Sequence, residues 1–310
     1  MDEINSIATG RALLELSDSE LLRKANKLRL QHFGSKIDLC GIINCRSGNC
    51  SMDCAFCAQS SHYGSPQTFP LLSQEALLKQ IYALAKLPVS HIGLVASGSA
   101  LGEQEITAIT ACLAKLPHHI KTRICTSFGR LPANSLKSLK AAGIKRYHHN
   151  LETSASFYPQ ICRTQTHGQR EKTVLRARMH GFSNCTGGLF GLGETWLDRI
   201  EFALELKALG IKHIPLNFLH PQPNTPLGTR PTLKCQEALR IIALFRLILP
   251  EATLRVCGGR PLTFGTNQGA IFLAGANALM IGDYLTTAGQ RPQQDLALLT
   301  SLGLKPAYHD

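Results

Sequence analysis

Short apolar runs of strand length alternate along the chain with longer stretches whose apolar residues return at helical spacing. The strand-like runs fall at 39–44, 91–95, 122–126, 145–149, 184–187, 213–217, 253–257 and 278–281. Helices are predicted between and after them, at 73–86, 103–116, 134–142, 169–180, 195–209, 232–249, 267–275 and 293–302. Ser73 caps the first, and Pro88, Gly143, Gly181, Gly210 and Pro250 stand where helices should stop. Ahead of this alternation, Ser17 and Glu20 form a capping box before Leu21 and Leu22, predicting a helix to Phe33 stopped by Gly34. Strands alternating with helices make right-handed units on a parallel sheet. Eight of them predict a (β/α)8 TIM-type barrel. The expected division is an N-terminal helical extension over 1–36 and a barrel domain over 37–310. An open doubly wound sheet is disfavoured, because its first turn should carry a glycine-rich phosphate loop. Here that turn carries cysteines.

Composition narrows the class. At 310 residues and 44% hydrophobic content the chain can bury a barrel-sized core. No apolar run reaches the roughly 18 residues of a membrane span. Met1-Asp2-Glu3-Ile4 lacks a signal peptide's basic and apolar regions, so a cytoplasmic protein is expected. In that compartment 11 cysteines argue for metal or redox chemistry rather than disulfides. The net charge of +12 could suit nucleic acid, but the basic residues are scattered along helical segments such as 170–178. Solvated helix faces explain them better, and neither nucleic acid nor membrane is expected as a partner.

The densest chemistry is Cys50-Ser51-Met52-Asp53-Cys54-Ala55-Phe56-Cys57. Three thiolates on so short a loop can hold three irons of a four-iron cubane and leave the fourth open to a ligand. A zinc knuckle would need a second ligand pair further on, and none is found. In a barrel, the loop after strand one lies at the catalytic mouth. Residues at other strand ends should converge there. Asn150 and Glu152 are two apart and would point the same way in extended chain. Of the adjacent His148 and His149, at most one would face the site. The glycine-rich stretch 187–195 allows a close backbone approach to a ligand. Asn217 ends an apolar strand and needs a partner or a ligand. Arg255 and Cys257 should point inward together or not at all. Cys40, Cys125 and Cys185 lie on odd-numbered strands, which share barrel layers, so a second cluster inside the barrel is plausible. Cys162 lies after strand four. Cys112 and Cys235 fall within helices, where small apolar packing is the simpler role. Arg170 alone reads as an exposed helix arginine.

These motifs together carry a resemblance. The CxxxCxxC loop resembles the radical S-adenosylmethionine superfamily. With 149–154, 187–195, 215–217 and 274–277 it resembles, within that superfamily, the biotin synthase family, over about residues 35 to 305. The resemblance implies a [4Fe-4S] cluster on Cys50, Cys54 and Cys57, whose open iron chelates S-adenosylmethionine. It implies a 5'-deoxyadenosyl radical acting on dethiobiotin, and a second iron–sulfur cluster as sulfur donor. It implies that Asn150, Glu152 and Arg170 contact the cofactor, and Asn150 and Asn217 the substrate. It further implies a homodimer and a reducing partner such as flavodoxin or ferredoxin.

One departure stands out. Better-known members hold a [2Fe-2S] cluster with three barrel cysteines and an arginine. Cys125, Cys185 and Arg255 match, but strand two offers Gly93 where the remaining cysteine should be. The chain is similar to a branch typical of anaerobes, for which Cys40, Cys125, Cys162 and Cys185 are expected to hold a differently built cluster, a four-iron variant. Alternative functions are another radical enzyme of the same group, of the hydrogenase-maturation or methylornithine-synthase type, and a basic metal-bearing nucleic-acid binder.

Overall fold

The computed structural model describes residues 4–64 and 67–307. These described residues form ten strands: β1 (Lys36–Arg46), β2 (His91–Ala96), β3 (Ile124–Ser127), β4 (Arg146–His148), β5 (Ser183–Cys185), β6 (Gly188–Phe190), β7 (His213–Phe218), β8 (Thr253–Val256), β9 (Ala278–Met280) and β10 (Lys305–Pro306). All neighbouring pairs are parallel. The order β1-β2-β3-β4-β5-β7-β8-β9 closes through β9 on β1, which makes the predicted barrel. Helices cover its outside, and their apolar faces meet the outward strand residues Leu39, Ile92, Leu94, Ile214 and Leu254 in one core. No helix among the described residues is long and apolar enough to cross a membrane.

The fifth barrel position differs from the single run expected at 184–187. It is split into β5 and β6, and both pair with β7 in unbroken register, Cys185 opposite His213 and Gly188 opposite Leu216. The gap falls opposite Pro215, which has no N–H to give to a ladder. Gly187 is required there. A Cβ on it would lie 1.9 Å from the Pro215 carbonyl oxygen. On the side of β4, the Gly187 carbonyl accepts the amides of Leu151 and Glu152, at 3.0 and 3.2 Å, which ties the loop after β4 to this strand. β10, a two-residue addition to the start of β1, carried no periodic signal.

The helix Asp18–Phe33 starts at the expected Ser17–Glu20 capping box. Its Leu21 and Ala25 are buried beside the helix Cys235–Ile248. Under this contact Arg246 is fully buried. It donates to the carbonyls of Gly275 (2.9 Å), Pro250 (2.9 Å) and Ala252 (2.8 Å) and to the Asn277 side chain (2.7 Å). Arg123 likewise donates to Ala85 and Leu87 carbonyls, and Arg178 to that of Leu209. Part of the chain's positive charge therefore serves to close helix ends, where carbonyls lack partners.

Candidate active site

The mouth of the barrel opens into a cavity of about 410 Å³. Its upper wall is the cysteine loop. Gly48 and Asn49, both in the left-handed region, turn the chain out of β1 toward Cys50. Backbone bonds then fold the loop on itself: the Cys50 amide to the Gln59 carbonyl at 2.9 Å, the Ser61 amide to the Cys50 carbonyl at 2.8 Å, and the Cys57 amide to the Cys54 carbonyl at 3.0 Å. Ala55 is held from both sides, donating to the Ile161 carbonyl at 2.8 Å and accepting the Leu227 amide at 3.1 Å. Cys50, Cys54 and Cys57 all line the cavity. Among the described residues no three donors converge on a single ion. Burial pushes the Cys57 thiol up to about 11, while Cys54 is raised first by its hydrogen bond to Cys162 and then by burial. Iron must displace these protons to bind.

Arg170 does not stand on the surface. It begins the inner face of the helix His167–Met179, points back toward the mouth and is buried. It donates to the Tyr158 hydroxyl (2.7 Å), the Asn150 carbonyl (3.0 Å) and the Glu152 carboxylate (3.3 Å), and meets the Cys54 sulfur at 3.7 Å. Asn150 and Glu152 do face the cavity together, with the Asn150 amide 3.4 Å from the carboxylate. They do so although Glu152 is not extended but at φ 76°. Asn217 lines the same cavity. Its side chain donates to the Gly188 carbonyl at 3.1 Å and accepts the Gly258 amide at 3.0 Å, so the chain itself holds it in place.

The turn 191–194 is not free for a ligand. The buried Glu194 carboxylate accepts the amides of Gly191, Leu192 and Gly193, the nearest at 2.8 Å, and pairs with Arg199 at 2.9 Å. The chain supplies its own anion to this nest.

Deeper in the barrel lies a second group of thiols. Cys40, Cys125, Cys185 and Cys257 line the floor of the same cavity, with Arg255 among them. Arg255 and Cys257 thus point inward together. Cys125 and Cys40 are pushed up to about 12 and 11 by burial. Cys185 is the exception. Burial, the largest effect, opposes its thiolate, but the neighbouring His148 together with the charges of Arg255 and Arg146 outweighs this and lowers its pKa. Arg255 is bound to Asp38 at 2.8 Å, and its Nε has no partner. Gly93 lies on the wall beside them. A Cβ there would meet Ile42 Cγ2 at 3.1 Å and the Cys125 sulfur at 3.6 Å, so Ile42 crowds the place of the absent strand-two cysteine.

Cys162 is not part of this floor. It was expected with Cys40, Cys125 and Cys185, but its sulfur is 3.8 Å from that of Cys54 and 3.3 Å from the Asp53 carboxylate. The segment 157–162 packs onto the cysteine loop as a separate apolar cluster, which carries Cys162 to the mouth. Cys257 takes the fourth place on the floor. The layer rule for odd strands already pointed to it, since it ends the seventh barrel strand. Cys45 is buried on the outer face of β1, with Cys112 nearby.

A donor set of four thiols with cationic donors beside them fits an anionic iron–sulfur cluster, and the loop thiols fit a second one. Comparisons with known proteins identify the family. Residues 45–206 match the Radical SAM superfamily, and residues 215–305 match the Biotin and Thiamin Synthesis associated domain. Biotin synthase of Desulfovibrio desulfuricans is 54% identical over 94% of this chain and 93% of its own length. Biotin synthase of Trichlorobacter lovleyi is 43% identical over 94% of this chain and 89% of its own. Among solved structures, methylornithine synthase superposes with a TM-score of 0.84 at 18% identity, covering 98% of this chain and 94% of that one. An FeFe-hydrogenase maturase from Carboxydothermus hydrogenoformans gives 0.84 at 18%, covering 100% of this chain and 77% of that one. At such identity these two share the fold. The sequence relatives go further: the chain belongs to the biotin synthase family of the radical S-adenosylmethionine superfamily.

Proposed function

We propose that this enzyme converts dethiobiotin to biotin, drawing the inserted sulfur from an iron–sulfur cluster on the barrel floor. The observation that carries this reading is the facing of two thiol groups across one cavity: Cys50, Cys54 and Cys57 above, Cys40, Cys125, Cys185 and Cys257 below. Loaded with a [4Fe-4S] cluster and S-adenosylmethionine, the upper site supplies the radical that removes hydrogen from the substrate. The chain's own residues bind and orient. Cys50, Cys54 and Cys57 hold the upper cluster. Glu152, fixed by Arg170, and Asn150 present acceptor and donor groups to the amino, carboxylate and ribose groups of the cofactor. Asn217, held by two backbone bonds, presents its remaining N–H and lone pair to the ureido ring of dethiobiotin. Below them, Cys40, Cys125, Cys185 and Cys257, with Arg255, hold the sulfur donor. Enclosure by the barrel keeps water from the substrate radical.

The rest of the reading rests on the family resemblance: a homodimer, a small reducing electron carrier of the flavodoxin or ferredoxin type, and a cytoplasmic setting. The test is anaerobic incubation of reconstituted protein with reductant, S-adenosylmethionine and dethiobiotin. Biotin and 5'-deoxyadenosine are expected together. Formation of 5'-deoxyadenosine without biotin rejects the sulfur-insertion reading. Cys40→Ala, Cys185→Ala and Cys257→Ala are each expected to lower iron and sulfide below wild type while the upper cluster remains. Cys162→Ala is expected to leave the lower cluster's iron intact.

A further inference from the structure

β4 lies between β3, which carries Cys125, and β5, which carries Cys185, and has no cysteine of its own. What it turns toward the cavity is basic. Strand alternation puts Arg146 and His148 on one face, while Tyr147 between them is buried on the other, its hydroxyl donating to the Gly129 carbonyl at 2.6 Å. The register pairs Cys125 with Arg146 and His148 with Cys185. Each thiol on the flanking strands therefore has a basic neighbour directly across. His148 stands beside Cys185 on the next strand, and both line the cavity.

Arg146 is the more unusual of the two. One terminal nitrogen lies 2.8 Å from Nε2 of His213, while Nε and the other terminal nitrogen are buried with no partner. His213 offers no compensating charge. Burial and the nearby arginines hold it neutral, with its pKa lowered to about 3. Arg255, by contrast, is already offset by Asp38. Arg146 is thus a half-buried cation without a carboxylate among the described residues, with two enclosed, unpartnered nitrogens beside the thiol floor. Such a charge is costly unless an anion sits against it.

We propose that Arg146 and His148 form the cationic wall of the lower iron–sulfur cluster, Arg146 donating to sulfur on the Cys125 side and His148 to the Cys185 thiolate. This deepens, and rests on, the two-cluster reading above. Both are positioning residues. They balance the cluster's negative charge and, by favouring its more reduced and more negative state, raise its reduction potential.

The experiment is an EPR-monitored redox titration of anaerobically reconstituted protein without S-adenosylmethionine or substrate, with iron and sulfide counted per chain. Arg146→Met and His148→Leu are each expected to move the lower cluster to a more negative potential, or to lose its iron, while the upper cluster keeps its signal. Arg146→Lys and His148→Gln, which keep a charge and a donor, are expected to stay near wild type. Full iron content with unchanged potentials in Arg146→Met and His148→Leu overturns the proposal. If Arg146→Met does not fold, His148→Leu decides alone. Iron in wild type no higher than in Cys185→Ala refutes the two-cluster reading itself, which separates the two failures.

Discussion

The sulfur of Cys162 lies 3.8 Å from that of Cys54, and both are buried. A disulfide needs about 2.05 Å, a small approach for two side chains on a loop and a one-turn segment. On the proposed assignment the upper cluster would engage Cys54, leaving the pair free to join only in the apoprotein. Treating apoprotein with a low-molecular-weight disulfide is expected to yield a Cys54–Cys162 bridge, with two equivalents of the reagent thiol released. Peptide mapping would show it. Mixed disulfides on both residues, with no crosslink, would contradict this geometry. Cluster-loaded protein should resist the reaction.

Asp38 and Arg255 form a buried ion pair at 2.8 Å, and Arg255 holds the Asp38 carboxyl well below the usual range against the penalty of burial. Removing one partner of a buried pair costs about 3–5 kcal/mol, because the other charge is stranded. Asp38→Asn should therefore lower the melting temperature of the apoprotein markedly. An anionic cluster on the floor would partly satisfy the released Arg255. The loss should then be smaller in reconstituted protein. Equal losses in the two states would argue against a cluster beside Arg255.

Glu194 accepts three backbone amides and an arginine while fully enclosed. Glu194→Ala leaves those amides and Arg199 without their acceptor, although Arg199 keeps Glu237 at 2.8 Å. Hydrogen bonds to a charged group are each worth about 1.5–3 kcal/mol, and neighbouring losses do not add fully. A destabilisation of about 3 kcal/mol is expected in chemical denaturation. A change within about 0.5 kcal/mol would mean the turn closes without it.

The barrel was legible in the alternation of elements, because each strand and helix meets a core on a defined face. The break between Cys185 and Gly188 was not, since it depends on Pro215 in the next strand. The same limit applies to the site. Cys50, Cys54 and Cys57 are close in sequence and announce themselves by spacing. Cys40, Cys125 and Cys185 followed from the layering of odd strands, and that rule also contained Cys257. Cys162 went to the mouth because Tyr158 and Ile161 pack onto the cysteine loop, a tertiary contact with no local signal. Arg170 was read as exposed for the same reason: its partners, Tyr158, Glu152 and Cys54, come from three separate segments.

Glu205 sits outside the catalytic cavity on the helix Trp196–Ala208, half-buried, with its carboxylate 3.4 Å from Nε2 of His167. Burial, and then the charge of Glu171, raise its pKa to about 7, against 4.5 ordinarily. Folding thus favours the protonated acid. Its contribution is fully present below about 4.5 and is lost as pH rises through about 7. His167 does not offset the charge at higher pH, because burial lowers its own pKa and leaves it neutral. The full shift corresponds to about 3 kcal/mol at 1.36 kcal/mol per unit. Solvent screening at this partly exposed site reduces that to about 1–2 kcal/mol. Glu205→Gln, neutral at every pH, should therefore raise the stability of the apoprotein by about that amount at pH 8 and leave it nearly unchanged at pH 5. Urea denaturation of both proteins at the two pH values measures the difference. An equal gain at both would assign the effect to packing, and a loss at pH 8 would show that the ionised carboxylate is stabilised by His167 after all.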